Sequence, residues 1–388
     1  MRIGVDIRML SGGVMSGVPE YAANLLAELT KHPATFKLFY SGQHKQELDF
    51  PWLERHNVEL YDFSVSNRLL FLSARTIHYP RTDTMLGGVD VFFSPHFYFA
   101  PVSRDVPVVL TLHDLSFAYQ HPFDFFPRKM KYWHALMAPR RQAEHARHII
   151  TVSRSTKEDI IQKYHQPADK VSVIYSGVSP MFRPLAEDDP LLRAVRKKYH
   201  LPEKFIFSLS TIEPRKNISQ VVAAFTALKR QKEFADYGLV IAGQWGWNYQ
   251  DIAEAISRSP FRKDIILPGF VYGEEKLALY NLSAVFVYPS FFEGFGFPPL
   301  EAMACGVPVV GALDSSLGEV IGAAGLLVDP FNVNDLTFAL SALFADHNLR
   351  QMLRERGFAN ARRFSWAKSA AETFAVLQRV YRENYHSA

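Results

Sequence analysis

Residues 285–310 read VFVYPSFFEGFGFPPLEAMACGVPVV. Val285–Tyr288 is an unbroken apolar, β-rich run, the pattern of a strand buried on both faces. Pro289 ends it. Glu293-Gly294-Phe295-Gly296 predicts a tight, glycine-punctuated loop. Pro298 and Pro299 suit the first turn of a helix, where a missing N–H costs nothing. Leu300–Ala304 continues that helix, Gly306 stops it, and Val307–Val310 is the next strand. The order strand–loop–helix–strand is the repeating unit of a parallel α/β sheet. It sets an acidic loop at the carboxyl end of a strand and the amino end of a helix, where open α/β sheets bind ligands.

Glu293 and Glu301 stand eight residues apart, one in the loop and one on the first turns of the helix. Their side chains therefore reach different parts of one polyhydroxyl ligand. A carboxylate accepts hydrogen bonds from adjacent hydroxyls, such as those of a ribose or a hexose. The N–H groups of Gly294, Phe295 and Gly296, and of the helix start near Leu300, suit anionic or hydroxyl oxygens. A favourable charge at a helix amino end would account for Glu301 alone. It does not account for Glu293 inside a glycine loop.

The wording E-G-F-G-F-P-P-L-E-A-M-A-C-G-V-P-V-V resembles the E-x7-E signature of the retaining glycosyltransferases of family 4. HDLSF at 113–117 and EPRKN at 213–217 look like bacterial mannosyltransferases and related polysaccharide-assembly enzymes. The resemblance covers essentially the whole chain and is most specific after residue 205. It implies the α/β GT-B fold: two Rossmann-like, doubly wound domains facing across a cleft, with the C-terminal helix crossing back to the first domain. Residues 1–180 would form the acceptor-binding domain, with the helix 365–388 packed on it. Residues 181–364 would bind the nucleotide sugar. The linker matches a G-V-x-x-x-F-x-P pattern at Gly177, Val178, Phe182 and Pro184.

Composition agrees with two soluble globular domains. The chain has 388 residues, too many for one ordinary core, with 48% hydrophobic and 21% charged residues. Lys and Arg number 43 against 39 Asp and Glu, so no strong field calls for nucleic acid. The single cysteine, Cys305, excludes an internal disulfide and a multi-cysteine metal site, and its apolar helix makes it a buried structural thiol. MRIGVDIRML at the start is a strand rather than a signal peptide. No run of about 18 apolar residues is present to span a membrane. A cytoplasmic enzyme is expected, with peripheral contact at the inner membrane surface as an option.

In chain order, Arg2–Ile7 is a strand, followed by a loop carrying Gly12, Gly13 and Gly17, and by a helix opened at Pro19. Strand–glycine loop–helix lets backbone approach a phosphate or sugar, but this is neither G-x-G-x-x-G nor a P-loop. The resemblance assigns Gly17 to the donor diphosphate; Gly12 and Gly13 read as loop flexibility. Further strands are expected at 36–40, 58–61, 89–94, 107–112, 148–152 and 171–175. The strand 108–112 delivers His113 and Asp114 at its carboxyl end. The resemblance places His113 beside the donor sugar; a histidine merely hydrogen-bonded in a loop is the alternative. Asp114 either orients the imidazole or caps the next segment. Ser155 with Glu158 reads as a capping box. Ser153 and Arg154, at a strand end, are acceptor-side candidates together with Asp114.

Two stretches, 67–81 and 123–148, are basic and apolar together. The default is two ordinary helices, apolar face on the sheet and basic face in water. The other reading is an anionic lipid surface or a lipid-diphosphate acceptor.

In the second half, strand 205–210 leads into Thr211–Asn217, where Arg215 and Lys216 adjoin a helix amino end. The dipole disfavours cations there, and a bound dianion would relieve the conflict. Arg offers a planar two-point contact and Lys a point charge to a diphosphate. The resemblance makes them the pair that neutralises the nucleotide leaving group, with Phe270 and Val271 presenting backbone to the nucleobase. Glu301 would hold the ribose and Glu293 the donor sugar.

No D-x-D occurs, which removes the usual carboxylate platform for a divalent metal. No cofactor or metal is expected, in line with a metal-independent mechanism. Retention, implied by the resemblance, would proceed by front-side attack. The expected reaction moves a hexosyl group, first mannose from GDP-mannose, to a saccharide or lipid-linked oligosaccharide hydroxyl. UDP-glucose, UDP-galactose and UDP-N-acetylhexosamine donors stay open. A GT-B nucleotide-sugar epimerase and a non-enzymatic sugar-binding clamp are the readings from other classes.

Overall fold

A computed structural model describes residues 1–12, 17–43, 45–98, 100–118 and 125–385. Gly13 and Phe123, both used above, lie outside these residues. The chain divides into two compact units. One comprises Met1–Ala118, Lys129–Gly177 and Ser365–Ala388; the other comprises Tyr119–Arg128 and Val178–Phe364. Phe125–Arg128 thus groups with the second unit, although a division at residue 180 would leave it in the first.

The first unit holds seven strands: β1 (Arg2–Asp6), β2 (Thr35–Ser41), β3 (Val58–Phe63), β4 (Val91–Ser94), β5 (Val108–Leu112), β6 (His148–Thr151) and β7 (Val171–Val173). Their order is β3-β2-β1-β4-β5-β6-β7, every pair parallel. The inner strands are apolar on both faces, and Val5, Phe36, Phe93 and Ile149 are fully buried. Parallel neighbours need long crossovers, which the intervening helices supply. The order reverses between β1 and β4, so the loops after these strands diverge and leave a crevice.

The second unit holds β8 (Lys204–Leu209), β9 (Tyr237–Ala242), β10 (Ile265–Gly269), β11 (Val285–Tyr288), β12 (Val309–Ala312) and β13 (Leu326–Val328). The order is β10-β9-β8-β11-β12-β13, again all parallel. Here the reversal falls between β8 and β11. The last helix, Trp366–Tyr385, belongs to the first unit and packs on the helix Val18–Leu29. It buries Ala370, Phe374 and Leu377, stacks Phe374 on His32 at 4.6 Å, and donates from Ser369 Oγ to the Tyr175 carbonyl.

Two local expectations need correction. The cap of the helix Arg154–Tyr164 is Ser153, not Ser155: Ser153 Oγ accepts from Thr156 N at 3.1 Å. The capping-box pattern at Ser155 is off by two residues because β6 ends earlier, at Thr151. The two basic, apolar helices also do not hide all their apolar side chains. Asn67–Ile77 buries Leu70, Phe71 and Ala74 but exposes Leu69, Leu72 and Ile77. Arg128–Met137 has no buried residue at all. One helix face covers a stripe of limited width, and Asn67–Ile77 carries more apolar residues than fit it.

Candidate functional site

The polar centre of the second unit forms where β8 and β11 end, at the sheet's switch point. β8 leads into the turn Pro214–Lys216, and β11 into the loop that carries Glu293. The Lys216 ammonium donates to Glu293 Oε1 at 2.5 Å and to Tyr288 Oη at 2.9 Å. Arg215 Nη1 donates to Glu293 Oε2 at 3.2 Å and to the Phe292 carbonyl at 2.8 Å. Ser290 Oγ donates to Glu293 Oε1 at 2.7 Å. On the other side, Arg215 Nη2 lies 2.7 Å from Glu213 Oε1. Glu213 is fully buried, and its Oε2 accepts no hydrogen bond.

Two cations and two carboxylates therefore share one nearly dry site. The expected conflict of Arg215 and Lys216 with the helix dipole is relieved by Glu213 and Glu293 within the chain itself. Burial pushes the Glu293 carboxyl up, but Lys216 and then Arg215 outweigh it and hold it at about 2. Burial raises the Glu213 carboxyl, with its cationic neighbours only partly offsetting this. Burial and then Arg215 lower the Lys216 ammonium, while Glu293 and Glu213 work the other way. Each charge in the cluster has an opposite partner within reach, which fixes the positions of the Arg215 and Lys216 side chains.

The Glu293 loop is fixed by its own backbone. Gly296 sits at φ 108°, and a Cβ there would lie 2.7 Å from Leu317 Cδ2, so only glycine fits. Ser316 Oγ ties the Glu293 and Phe295 carbonyls, each at 2.9 Å. Gly294 is buried, and the Phe295 ring packs against Phe297 and Phe364. From these residues only backbone is left for a ligand. Leu300 is buried in the helix Phe297–Ala304.

Glu301, on that helix, makes its polar contacts elsewhere. Its Oε1 accepts from Lys276 Nζ at 2.6 Å and its Oε2 from Tyr280 Oη at 2.7 Å. Both donors come from the helix Gly273–Leu282, four residues apart and so on one face. Each carboxylate oxygen keeps a second lone pair for a ligand hydroxyl. After β10, Phe270 is exposed and Val271 buried.

In the first unit, His113 follows β5. Its Nε2 lies 2.8 Å from the Pro95 carbonyl, which only accepts, so Nε2 carries the proton and Nδ1 is the acceptor. Tyr21 packs edge-on against the ring at 4.6 Å. Burial lowers the imidazole pKa and keeps it neutral. Asp114 does not orient this ring: its Oδ1 accepts from Ser116 N at 2.9 Å and Ser116 Oγ at 2.7 Å, capping the turn Ser116–Ala118. Ser153 is fully buried; its hydroxyl donates to Thr156 Oγ1, which donates to the His113 carbonyl at 3.2 Å. Ser153 therefore positions the end of β5 and is closed to an acceptor, whereas Arg154 is exposed. Gly17 adopts φ 53° at the start of its helix, with open space around the missing side chain.

Sequence reasoning overlooked Glu213, Ser290, Tyr288, Lys276 and Tyr280. Only the last two left a readable signal, their four-residue spacing on a helix.

Two parallel doubly wound sheets, one with a charge-balanced centre at its switch point, define a glycosyltransferase of GT-B architecture. The profile "Glycosyl transferases group 1" matches residues 193–359, and "Glycosyltransferase Family 4" matches residues 15–182. The chain is 30% identical over 374 residues to the O-antigen chain mannosyltransferase B of Escherichia coli, covering 92% of this chain and 95% of that protein. Sucrose-phosphate synthase from Thermosynechococcus elongatus superposes with a TM-score of 0.77 at 18% identity, covering 98% and 99% of the two chains. Anabaena HepE, solved with UDP and glucose, gives 0.72 at 18% identity, covering 97% and 99%. The chain belongs to glycosyltransferase family 4 and is an enzyme of the glycosyl-transferring class. The non-enzymatic clamp falls with that.

Among the described residues no group of three or more His, Cys, Asp or Glu is placed to hold a metal ion, and no helix is long and apolar enough to cross a membrane.

Proposed function

We propose that the enzyme transfers a mannosyl group from GDP-mannose to a hydroxyl of a saccharide or lipid-linked oligosaccharide, in surface polysaccharide assembly. The observation that carries this reading is Arg215 and Lys216 gathered at the switch point of the second sheet, in a chain related end to end to an O-antigen mannosyltransferase. The bond from the sugar's anomeric carbon to the nucleotide oxygen breaks, and a bond to the acceptor oxygen forms on the same face. The acceptor proton passes to the departing phosphate oxygen, so configuration is retained with no protein nucleophile and no metal. Arg215 and Lys216 neutralise the leaving diphosphate. Glu293 holds donor-sugar hydroxyls, Glu301 the ribose, and the Nδ1 of His113 accepts from the sugar. Gly17, Phe270, Val271 and the Gly294–Gly296 backbone complete the donor contacts. The exposed apolar and basic residues of the two N-terminal helices make a peripheral contact with anionic lipid.

A UDP-hexose donor is the second reading, favoured by the likeness to HepE, which was solved with UDP and glucose. Thermal melts decide between them, because a ligand bound only by the native state raises the melting temperature. The expected result is a shift with GDP-mannose that survives chelator and is lost in Glu301→Gln, which keeps an acceptor for Tyr280. A shift with UDP-glucose alone would replace the donor. No shift with any nucleotide sugar would sink the reading.

A further inference from the structure

Phe125 and Phe126 lie near the start of the second basic, apolar stretch, and no role described above uses them. Both are buried, but not in the unit that holds their neighbours along the chain. The turn Ser116–Ala118 belongs to the first unit, and the helix Arg128–Met137 returns to it at Lys129. Phe125 and Phe126 belong to the second. The Phe125 ring lies nearly parallel to that of Phe291, at 5.7 Å and 12°, and Phe291 packs in turn on Phe331 at 4.9 Å. Phe126 packs on Trp247 at 5.5 Å, and the Trp247 indole N–H donates to the Phe125 carbonyl at 2.9 Å. These are the spacings of attractive ring pairs.

Both ring partners sit on loops that hold Arg215. Phe291 follows β11, and its N–H donates to the Arg215 carbonyl at 2.9 Å. The preceding Ser290 Oγ donates to the same carbonyl at 3.0 Å, and the following Phe292 carbonyl accepts from Arg215 Nη1. Trp247 follows β9, in a loop stitched to the segment just ahead of Arg215. There Ile212 N donates to the Gln244 carbonyl at 2.8 Å, and Gly246 N to the Ile212 carbonyl at 3.0 Å. In the sheet, β9 and β11 are the two neighbours of β8. Phe125 and Phe126 thus bridge the loops on either side of the strand end from which Arg215 and Lys216 emerge. A guanidinium makes its planar two-point contact in one orientation only, and small misplacements of such a group are costly to the reaction. Burial of two rings alone does not require them to reach loops on opposite sides of one strand.

We propose that Phe125 and Phe126 are positioning residues of the diphosphate-binding centre, acting through Arg215. This aromatic strap fixes the loops after β9 and β11, and with them the plane of the Arg215 guanidinium. The proposal rests on the reading of Arg215 and Lys216 as the pair that meets the leaving diphosphate. It adds that the first half of the chain supplies the residues that aim Arg215.

The test is calorimetric titration with GDP and, separately, with UDP. The proteins are the wild type, Phe125→Leu, Phe126→Leu, Arg215→Gln and the double variant Phe125→Leu, Arg215→Gln, each also melted without nucleotide. Leucine keeps most of the buried apolar volume and removes the ring stacking. Phe234→Leu is the control, an equally buried ring ahead of the amino end of β9. Each strap variant is expected to weaken the tighter nucleotide about tenfold, while Phe234→Leu lowers the melting temperature and leaves that affinity unchanged. In the double variant Phe125→Leu should add no further loss, because the effects of residues that act through one another do not sum. Wild-type affinity in both strap variants, a fully additive double variant, or an equal loss in Phe234→Leu would overturn the strap while leaving the diphosphate reading in place. If the wild type binds neither nucleotide, or Arg215→Gln binds as the wild type does, the diphosphate reading fails and the strap falls with it.

Discussion

Glu293 accepts from Lys216, Arg215 and Ser290 in the second unit's charged centre, and the centre's stability hangs on it. Removing one partner of a buried, hydrogen-bonded charge pair costs about 3–5 kcal/mol, because the remaining charge is left unmatched. Glu293→Gln should therefore lower the stability of the nucleotide-free enzyme by about 3 kcal/mol. Added GDP should raise the melting temperature of this variant more than that of the wild type, since a diphosphate restores the missing negative charge. Equal shifts in the two proteins would mean that Arg215 and Lys216 do not face the diphosphate. The two cations and the two signature carboxylates were legible in the chain. The pairing of Arg215 and Lys216 with Glu293 and Glu213 was not, because Glu213 and Ser290 gain meaning only when the loops after β8 and β11 meet. Acid lability can be followed at a single residue too. His148 is buried, beside Arg379 Nη2 at 3.1 Å and Ser172 Oγ at 2.9 Å, with Lys157, Lys170 and Asp169 near it. Burial first, then the Arg379 charge, depress its imidazole from 6.5 to about 4. The unfolded chain thus takes up this proton first. The stabilisation is complete above pH 6.5 and drains away as pH falls towards 4. Melting temperature should fall through that window in the wild type, and less steeply in His148→Gln. Parallel profiles would refute the assignment.

At the scale of single elements, strands were the easiest to read. A strand buried on both faces has no polar alternation to blur it, and a proline or glycine marks its end. Val285–Tyr288 was legible for this reason, as was the helix that starts beyond Gly296. Caps were harder, because two serines flank the start of the helix Arg154–Tyr164 and only the backbone at Ser153, φ −153° and ψ 159°, settles which one lies outside it. Loss of a capping hydroxyl costs about 1 kcal/mol. Ser153→Ala should thus destabilise the enzyme by about 1 kcal/mol or more, since its hydroxyl also steadies Thr156 and the end of β5. Ser155→Ala should cost clearly less. Chemical denaturation of the two variants makes the comparison, and the reverse order would restore the capping box. The loop after β11 invites a similar test. Gly296→Ala must move both a positive φ and the Leu317 contact, at about 1–3 kcal/mol, and activity should fall with it as the Glu293 carboxylate shifts.

For the molecule as a whole, two parallel sheets followed from the alternation of apolar runs with helical stretches, and the return of the last helix followed only from family resemblance. What no periodicity revealed is the fate of the surplus apolar residues near the N-terminal basic segments. A helix can bury one stripe, and the sequence does not say whether the remainder finds a second partner. Leu69, Leu72, Ile77 and Tyr132 find none that covers them: they are 59%, 58%, 68% and 64% exposed. Arg75, Arg81, Arg128 and Lys129 lie on or beside the same helices. Exposed leucines alone are ordinary on a protein surface, but their pairing with cations on short neighbouring helices suits the interface of an anionic bilayer, where each basic residue contributes about 1 kcal/mol. An acceptor carried on lipid would be met at that surface. Flotation with vesicles should show the enzyme on phosphatidylglycerol-containing membranes and not on pure phosphatidylcholine. Raised salt should weaken binding through screening of the basic residues. The double variant Leu69→Ser, Leu72→Ser should weaken it through loss of buried apolar area. Equal flotation on both lipids would leave a purely apolar contact. No flotation on either would show that these helices face water throughout the reaction, and a soluble saccharide would then be the acceptor to pursue.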